Sequence, residues 1–286
     1  MEGTAAKTAG KAARDLEEPV ARRRHRQILC GSSEKALDQL AELMSYLILD
    51  IETVPDETCA PPIKSVSDES AAAAHSPMPP PFAHEVCAIG CLLLGDDFSP
   101  VRLGAIMNKR GPVGEREALV SWSTYMAKIA PTIVTWNGRG FDLPVLLSRC
   151  LRLGVPCSWY FGRRYDYRYS DVDHCDLLDQ MTGFGAANRS GYKLDAVARA
   201  IGLPGKPEGT DGGKVAELAA AGKWDLIQNY CLSDVIQTGF IFLRWKHLRG
   251  EIDSHGHNEA AKSLHVASKE IFSSVYPKKT ILVPNV

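Results

Sequence analysis

The pattern of hydrophobic and polar positions is clearest at residues 45–53, where an apolar run ends in two carboxylates one residue apart. Four or five consecutive apolar side chains leave no polar face, so the run predicts a central strand that is covered on both sides. Side chains alternate along a strand, which puts Asp50 and Glu52 on the same face at the carboxyl end of this strand.

Two carboxylates on one strand face repel each other and lose hydration unless cations compensate for both effects. Asp50 and Glu52 therefore indicate a divalent-metal site. The alternative interpretation is that these acidic residues only mark the place where a strand meets solvent.

The segments that follow predict the rest of a sheet. Residues 56–82 are rich in Ala, Pro and Ser and predict a long, mobile loop. Residues 86–94 and 101–107 predict two strands that form an antiparallel meander with the first one. A helix is predicted at 114–129 and a short strand at 132–136.

The second half of the chain alternates strand and helix. The sequence Asp142-Leu143-Pro144 predicts a helix start with Asp at the N-cap and Pro in the first turn. A fifth strand is predicted at 172–177, followed only by helices. Three meander strands and then two strands separated by a helix match the ribonuclease-H-like order. We therefore predict an α/β ribonuclease-H-like fold, with a mixed five-stranded sheet flanked by helices.

A long helix is predicted at 224–248, because this segment has no Pro and only one Gly. Five residues fall on one of its faces: Ile227, Tyr230, Asp234, Thr238 and Ile241. An Asp inside an apolar stripe needs a partner, since a desolvated carboxylate without one costs several kcal/mol. We expect Asp234 to meet either a basic side chain or a metal ion.

Composition fits one globular core with flanking segments. The chain has 286 residues, of which 45% are hydrophobic and 23% are charged. We predict a poorly ordered extension at 1–43, a catalytic domain at 44–249 and a partly helical C-terminal tail at 250–286. The formal net charge of −1 excludes a uniformly basic nucleic-acid-binding surface, but it permits a local basic groove.

The cysteine pattern and the absence of targeting segments favour the cytoplasm. The eight cysteines include no CxxC pair, no apolar run reaches the ~18 residues of a membrane span, and the first residues lack the apolar core of a secretory signal. An organelle transit peptide is the alternative for the Ala- and Arg-rich start, but Asp15, Glu17 and Glu18 argue against it.

Three short motifs together resemble those of DEDD-type 3'-5' exonucleases. They are Asp50-Ile51-Glu52-Thr53, Asn137-Gly138-Arg139-Gly140-Phe141-Asp142 and Tyr230-Cys231-Leu232-Ser233-Asp234. The chain is most similar, over residues 45 to about 249, to the predicted 3'-5' exonucleases related to the exonuclease domain of family B DNA polymerases. Tyr230 stands four residues before Asp234, and Asn229 occupies the position of the alternative His, so the chain resembles the tyrosine subclass.

The resemblance implies a catalytic role for Asp50, Glu52, Asp142, Tyr230 and Asp234. The four carboxylates would bind two Mg²⁺ or Mn²⁺ ions, which oxygen ligands favour, and Tyr230 would orient the attacking water. Residues implied to contact the terminal nucleotide are Thr53, Asn137 and Phe141. A structural role stays open as the alternative for two of these residues: Asp142 caps a helix, and Phe141 belongs to the hydrophobic core.

The expected function is metal-dependent removal of nucleotides from the 3' end of a single nucleic acid strand. We take DNA as the preferred substrate, although the sequence does not distinguish DNA from RNA, because contacts to a 2'-hydroxyl leave no signature in a sequence. The alternative is a catalytically silent subunit of a replication or repair complex that binds nucleic acid or a protein partner, and no protein partner can be named. Residues 160–169 interleave Tyr and Arg as a single-strand stacking surface does, with a solvated loop as the alternative. Lys206 and Lys214 are either phosphate contacts or ordinary surface lysines.

Overall fold

The computed structural model describes residues 45–56, 58–59, 79–108, 112–206, 212–277, 281 and 283–286. The predicted extension at 1–43 and most of the predicted loop at 56–82 lie outside the described residues. The strands are β1 (Tyr46–Pro55), β2 (His84–Leu94), β3 (Pro100–Met107), β4 (Thr132–Thr135) and β5 (His174–Asp176). The helices are α1 (Pro112–Ile129), α2 (Asp142–Leu153), α3 (Ser158–Phe161), α4 (Leu177–Met181), α5 (Leu194–Ala200), α6 (Gly212–Ala220), α7 (Trp224–Leu248) and α8 (Ser254–Val275).

The five strands form one mixed sheet in the order β3-β2-β1-β4-β5. β1, β2 and β3 pair antiparallel, whereas β4 runs parallel to both β1 and β5. The predicted α/β class and the mixed five-stranded sheet are thereby confirmed. β1 lies at the centre of the sheet, so its side chains are covered on both faces.

The two faces of the sheet are packed by different helices. Leu47, Leu49 and Ile51 of β1 belong to a buried cluster with residues of α1 and α2. Ile48, which points to the opposite face, belongs to a second cluster with residues of α7 and α8. Because strand side chains alternate, Asp50 and Glu52 share the face of Ile48 and point towards α7.

α7 has the predicted bounds but not the predicted environment. The sequence predicted one apolar stripe, yet every residue from Cys231 to Leu243 is buried. The reason is α8, which covers the side of α7 that faces away from the sheet. The rings of Phe240 and Phe272 stack there with centroids 6.4 Å apart. α8 lies within residues 250–286, the segment predicted as a C-terminal tail.

A buried network of charged side chains stabilises the segment that follows β1. Arg149 of α2 donates to Asp56 at 2.7 Å and to Glu115 of α1 at 2.5 Å, and all three side chains are buried. Glu115 also accepts a hydrogen bond from the backbone N–H of Val86 at 2.8 Å. The network joins the residue after β1 to β2, α1 and α2.

Within the described residues, no helix combines the length and the apolar character that a membrane crossing requires.

Candidate active site

Three carboxylates from two elements converge on one side of the sheet. Asp50, Glu52 and Asp234 each offer an oxygen, and these oxygens lie within 4.8 Å of one another. Gly90 of β2, which pairs with Asp50, makes this approach of α7 to the sheet possible. A Cβ atom at Gly90 would lie 2.7 Å from the Cys231 sulfur, so any other residue there would force the helix away from β1.

Asp142 lies in the same cleft, but it is held by a different contact. Its Oδ1 accepts a hydrogen bond from the backbone N–H of Ile51 at 3.1 Å, which ties the start of α2 to β1 between Asp50 and Glu52. The prediction that Asp142 is the N-cap of α2 is wrong. Phe141 occupies the N-cap position without a side-chain cap bond, and Asp142 is the first residue of the helix.

The turn that leads into α2 is shaped by Asp176. Its carboxylate accepts hydrogen bonds from the backbone N–H groups of Asn137 at 3.0 Å and Arg139 at 2.9 Å. Asn137 adopts a positive φ of 66°, and a Cβ atom at Gly140 would lie 2.6 Å from its Oδ1. A tight turn therefore places Asn137, Phe141 and Asp142 along one edge of the cleft.

Lys206 supplies the partner that the sequence required for Asp234. The Lys206 ammonium lies 2.6 Å from Asp234 Oδ2, and the Asp234 side chain is 9% exposed. Lys206 is therefore the basic side chain that was expected beside Asp234. The sequence placed Lys206 only in a Gly-rich link, and the one available signal was that Asp234 needed a cationic neighbour.

The loop that carries Lys206 is held by Tyr276, the residue that follows α8. The Tyr276 hydroxyl, just after α8, donates to the carbonyl oxygen of Gly205. The Ser233 hydroxyl lies 3.0 Å from the same Tyr276 oxygen. Tyr276 thus contacts the residue before Lys206 and the residue before Asp234.

The electrostatics of the cleft oppose ionisation of its carboxyl groups. Burial, and after it the neighbouring carboxylates, raises the pKa of Asp50 well above its usual range. Burial likewise raises the pKa of Glu52 to about 8 and that of Asp142 to about 7, and Lys206 offsets only part of the effect at Glu52. A set of crowded oxygen donors with excess negative charge fits a hard divalent cation such as Mg²⁺ or Mn²⁺.

The carboxylates line a cleft of about 760 Å³ together with the three residues expected to contact a nucleotide, Thr53, Asn137 and Phe141. Thr53 Oγ1 lies 3.0 Å from His84 Nδ1. The His84 and Phe141 rings meet edge to face, with centroids 5.2 Å apart. Phe141 is only partly buried and also packs against the core, so its ring has one side in the cleft and one side in the protein.

Tyr230 lies on α7 one turn before Asp234 but is not among the residues that line this cleft. It packs against a small cluster beside β1 that includes Cys87, Val215 and Ile227. The structure therefore brings together the four predicted carboxylates and the three residues predicted to contact a nucleotide, whereas Tyr230 lies in the neighbouring cluster. The catalytic role of Tyr230 stays a prediction.

A sequence model of the family described as "Predicted 3'-5' exonuclease related to the exonuclease domain of PolB" matches residues 76–276, more than half of the chain. The chain belongs to this family. The matched residues include Asp142, Lys206, Tyr230 and Asp234. Asp50 and Glu52 precede them. The resemblance predicted from the three motifs is confirmed.

Two solved structures to which this chain is similar are both much longer than the chain. The family B DNA polymerase of the archaeon Pyrobaculum calidifontis is 21% identical over 79% of this chain and 27% of its own, with a TM-score of 0.49. Exonuclease I of E. coli in complex with a dA16 oligonucleotide is 14% identical over 74% of this chain and 46% of its own, with a TM-score of 0.37. The chain thus spans less than half the length of each. No curated protein sequence matches the chain.

Proposed function

We propose that this chain is a metal-dependent 3'-5' exonuclease that hydrolyses the last phosphodiester bond of a single nucleic acid strand, with DNA as the expected substrate. Membership of the PolB-related exonuclease family supports this proposal. The observation that carries it is the convergence of Asp50, Glu52 and Asp234 within 4.8 Å in a cleft that Asp142 also lines. The proposed catalytic domain spans residues 44–249, with α8 packed on its outer side.

The residues that would hold the metal are Asp50, Glu52 and Asp234, with Asp142 serving a second ion. Bound Mg²⁺ or Mn²⁺ ions stabilise negative charge on the attacking and leaving oxygens of a displacement at phosphorus. Asp142 and Asp234 are buried and Asp50 and Glu52 are half-buried, so these carboxylates have little hydration to lose when they bind a cation. The cleft is therefore better suited to a bound cation than to four free charges.

The remaining residues of the cleft would hold the 3'-terminal nucleotide. Phe141 offers a ring face to a base, and the Thr53 hydroxyl and the Asn137 amide offer hydrogen bonds to the sugar and the phosphate. Tyr230 would orient the attacking water through a hydrogen bond with its hydroxyl.

The test uses the full chain with 5'-labelled single-stranded DNA and RNA of the same sequence, in Mg²⁺, in Mn²⁺ and in chelator. The expected result is a ladder that shortens from the 3' end, requires a metal and disappears in Asp234→Asn. A substrate whose 3'-terminal linkage resists hydrolysis serves as a control for the direction of attack.

Other results would favour the alternatives. Binding of the oligonucleotide without cleavage in any metal would indicate a catalytically silent nucleic-acid-binding protein. Neither binding nor cleavage would favour a partner-binding subunit. Equal rates in metal and in chelator would contradict the metal assignment while leaving the nuclease assignment standing.

A further inference from the structure

A second cavity, of about 310 Å³, adjoins the acidic cleft at the turn before α2. Both cavities are lined by Gly140. The second one is also lined by Arg139, Arg168 and Arg189. Arg189 donates to Asn137 Oδ1 at 3.0 Å, and Asn137 lines the acidic cleft. A strand that leaves the acidic cleft past Asn137 therefore meets arginines.

Two of these arginines are held in place by a buried carboxylate. Asp179, which is 2% exposed, accepts two hydrogen bonds from Arg168, at 2.8 and 3.0 Å, and lies 3.4 Å from Arg189. The side chains of Arg168 and Arg189 remain 39% and 38% exposed. Asp179 thus orients both guanidinium groups without covering them. Oriented, accessible guanidinium groups are well suited to phosphate oxygens.

Exposed aromatic rings continue the surface beyond the arginines. Tyr167 and Tyr169 are 41% and 66% exposed, and their rings lie 6.2 Å apart. The Tyr169 ring also lies 5.1 Å from that of Phe184, and the Arg164 guanidinium sits 4.2 Å over the Tyr167 ring. Rings supported from one side by a neighbour and open on the other are suited to stacking with bases.

The Tyr- and Arg-rich segment predicted from the sequence therefore has two parts with different roles. Tyr165 is buried, and its hydroxyl donates to the carbonyl oxygen of Pro131, so it belongs to the core. Arg139, from the turn before α2, stabilises the fold in the same region, because its guanidinium donates to the backbone carbonyls of Tyr165 and His174. In the outer part, Tyr167 and Tyr169 are exposed, and Arg168 between them lines the second cavity.

We infer that Arg168, Arg189, Tyr167 and Tyr169 bind the single-stranded nucleic acid on the 5' side of the nucleotide held in the acidic cleft. This inference rests on the proposed function and extends it to the path of the substrate. Phosphates contact the two arginines beside Asn137, and the following bases stack on the two tyrosines. A duplex does not fit this surface, because its bases have no free faces for the rings.

The experiment compares a substrate that reaches this surface with one that does not. The long substrate is a single-stranded oligonucleotide of about 20 residues, which exceeds the ~4–16 nucleotides that one single-strand-binding domain covers. The short substrate is the p-nitrophenyl ester of thymidine 5'-monophosphate. For Tyr167→Ala/Tyr169→Ala, we expect the ratio of kcat/KM for the long substrate to kcat/KM for the short one to fall about five- to a hundredfold, chiefly through KM of the long substrate.

The matched control is Leu151→Ala, which removes an exposed apolar side chain at the far end of α2 and should leave the ratio unchanged. Both tyrosine rings are exposed, so the double variant should melt at the wild-type temperature. A ratio equal to that of the wild type would overturn the inference while the proposed function stands.

A different measurement applies if the wild type cleaves neither substrate, a result that would count against the proposed function itself. Binding of a fluorescent oligonucleotide in chelator is then followed by anisotropy. Weaker binding by Tyr167→Ala/Tyr169→Ala than by the wild type would support the inference without the activity. Equal binding, or no binding by the wild type, would overturn it.

Discussion

The Lys206 ammonium lies 2.6 Å from Asp234 Oδ2, so a cation provided by the chain itself stands among the carboxylates of the cleft. It also lowers the pKa values of Asp50 and Glu52, which burial and mutual repulsion raise. Lys206 and a divalent metal ion therefore compete for the same carboxylate. The first prediction follows from this competition.

Replacing Lys206 by Met should lower the stability of the metal-free protein and raise its affinity for metal. In chelator, the variant loses the cation that offsets the repulsion among the carboxylates, so its melting temperature should fall by a few degrees. The dissociation constant for Mn²⁺ should decrease about two- to fivefold, a modest change because the lysine is partly exposed. Calorimetric titration with Mn²⁺ and thermal melting in chelator measure the two effects. Lys206→Arg keeps the charge and is the control, and weaker Mn²⁺ binding by Lys206→Met would contradict the competition.

The raised pKa values also predict how stability depends on pH. Burial raises the pKa of Glu52 to about 8, whereas an unfolded chain has a Glu pKa of about 4.3. The folded chain therefore binds this proton more tightly. In the absence of metal, its contribution to the free energy of unfolding is fully present below about pH 4 and is lost as the pH rises towards about 8.

The Glu52→Gln variant isolates this effect, because it keeps the histidines and cysteines that titrate in the same range. Measured by urea unfolding in chelator, the variant should gain stability relative to the wild type as the pH rises from 6 to 8, by at most about 1.4 kcal/mol per pH unit. Saturating Mn²⁺ should remove the gain, since the metal stabilises only the ionised wild type. A difference that stays constant from pH 6 to 8 would show that Glu52 is ionised throughout this range and would contradict its raised pKa.

Tyr230 is tested by removing only its hydroxyl. If this hydroxyl positions the attacking water, Tyr230→Phe should lower kcat about ten- to a thousandfold with little change in KM. Asp234→Asn should lower kcat further than Tyr230→Phe does, because it removes a charged metal ligand. Since Tyr230 packs in the cluster with Cys87 and Ile227, the competing role is structural. Melting curves beside the rates separate the two roles, and a Tyr230→Phe enzyme within about twofold of the wild type would remove Tyr230 from the catalytic group.

The network of Arg149, Asp56 and Glu115 should contribute strongly to stability. Arg149→Met leaves the buried Glu115 without its cation and leaves Asp56 with only the partly exposed Arg152, 2.8 Å away, so the free energy of unfolding should fall by about 3–5 kcal/mol. Chemical denaturation measures the loss. Adding Glu115→Gln to this variant should recover part of it, because one uncompensated charge disappears. A double variant no more stable than the single one would show that the geometry of the network, and not its charge, is what matters.

The sequence predicted what depends on local periodicity. Alternation along β1 placed Asp50 and Glu52 on one face, and the lack of helix breakers gave α7 its observed bounds. Contacts between distant parts of the chain were not predictable. Arg149 meets Asp56 across 93 positions, and Lys206 reaches Asp234 from a loop whose path no periodic pattern describes. The environment of α7 was misjudged for the same reason, since α8 hides the side that the sequence left exposed.

The position of Tyr276 shows what a truncated version of this chain would lose. A chain that stopped after Leu248 would retain all four acidic residues and Tyr230, and a motif search would score it as intact. It would nevertheless lose the helix that covers α7 and the hydroxyl that fixes the carbonyl of Gly205 beside Lys206. In genome surveys, an open reading frame with all its motifs but without this last helix therefore lacks part of the structure that holds Lys206 beside Asp234.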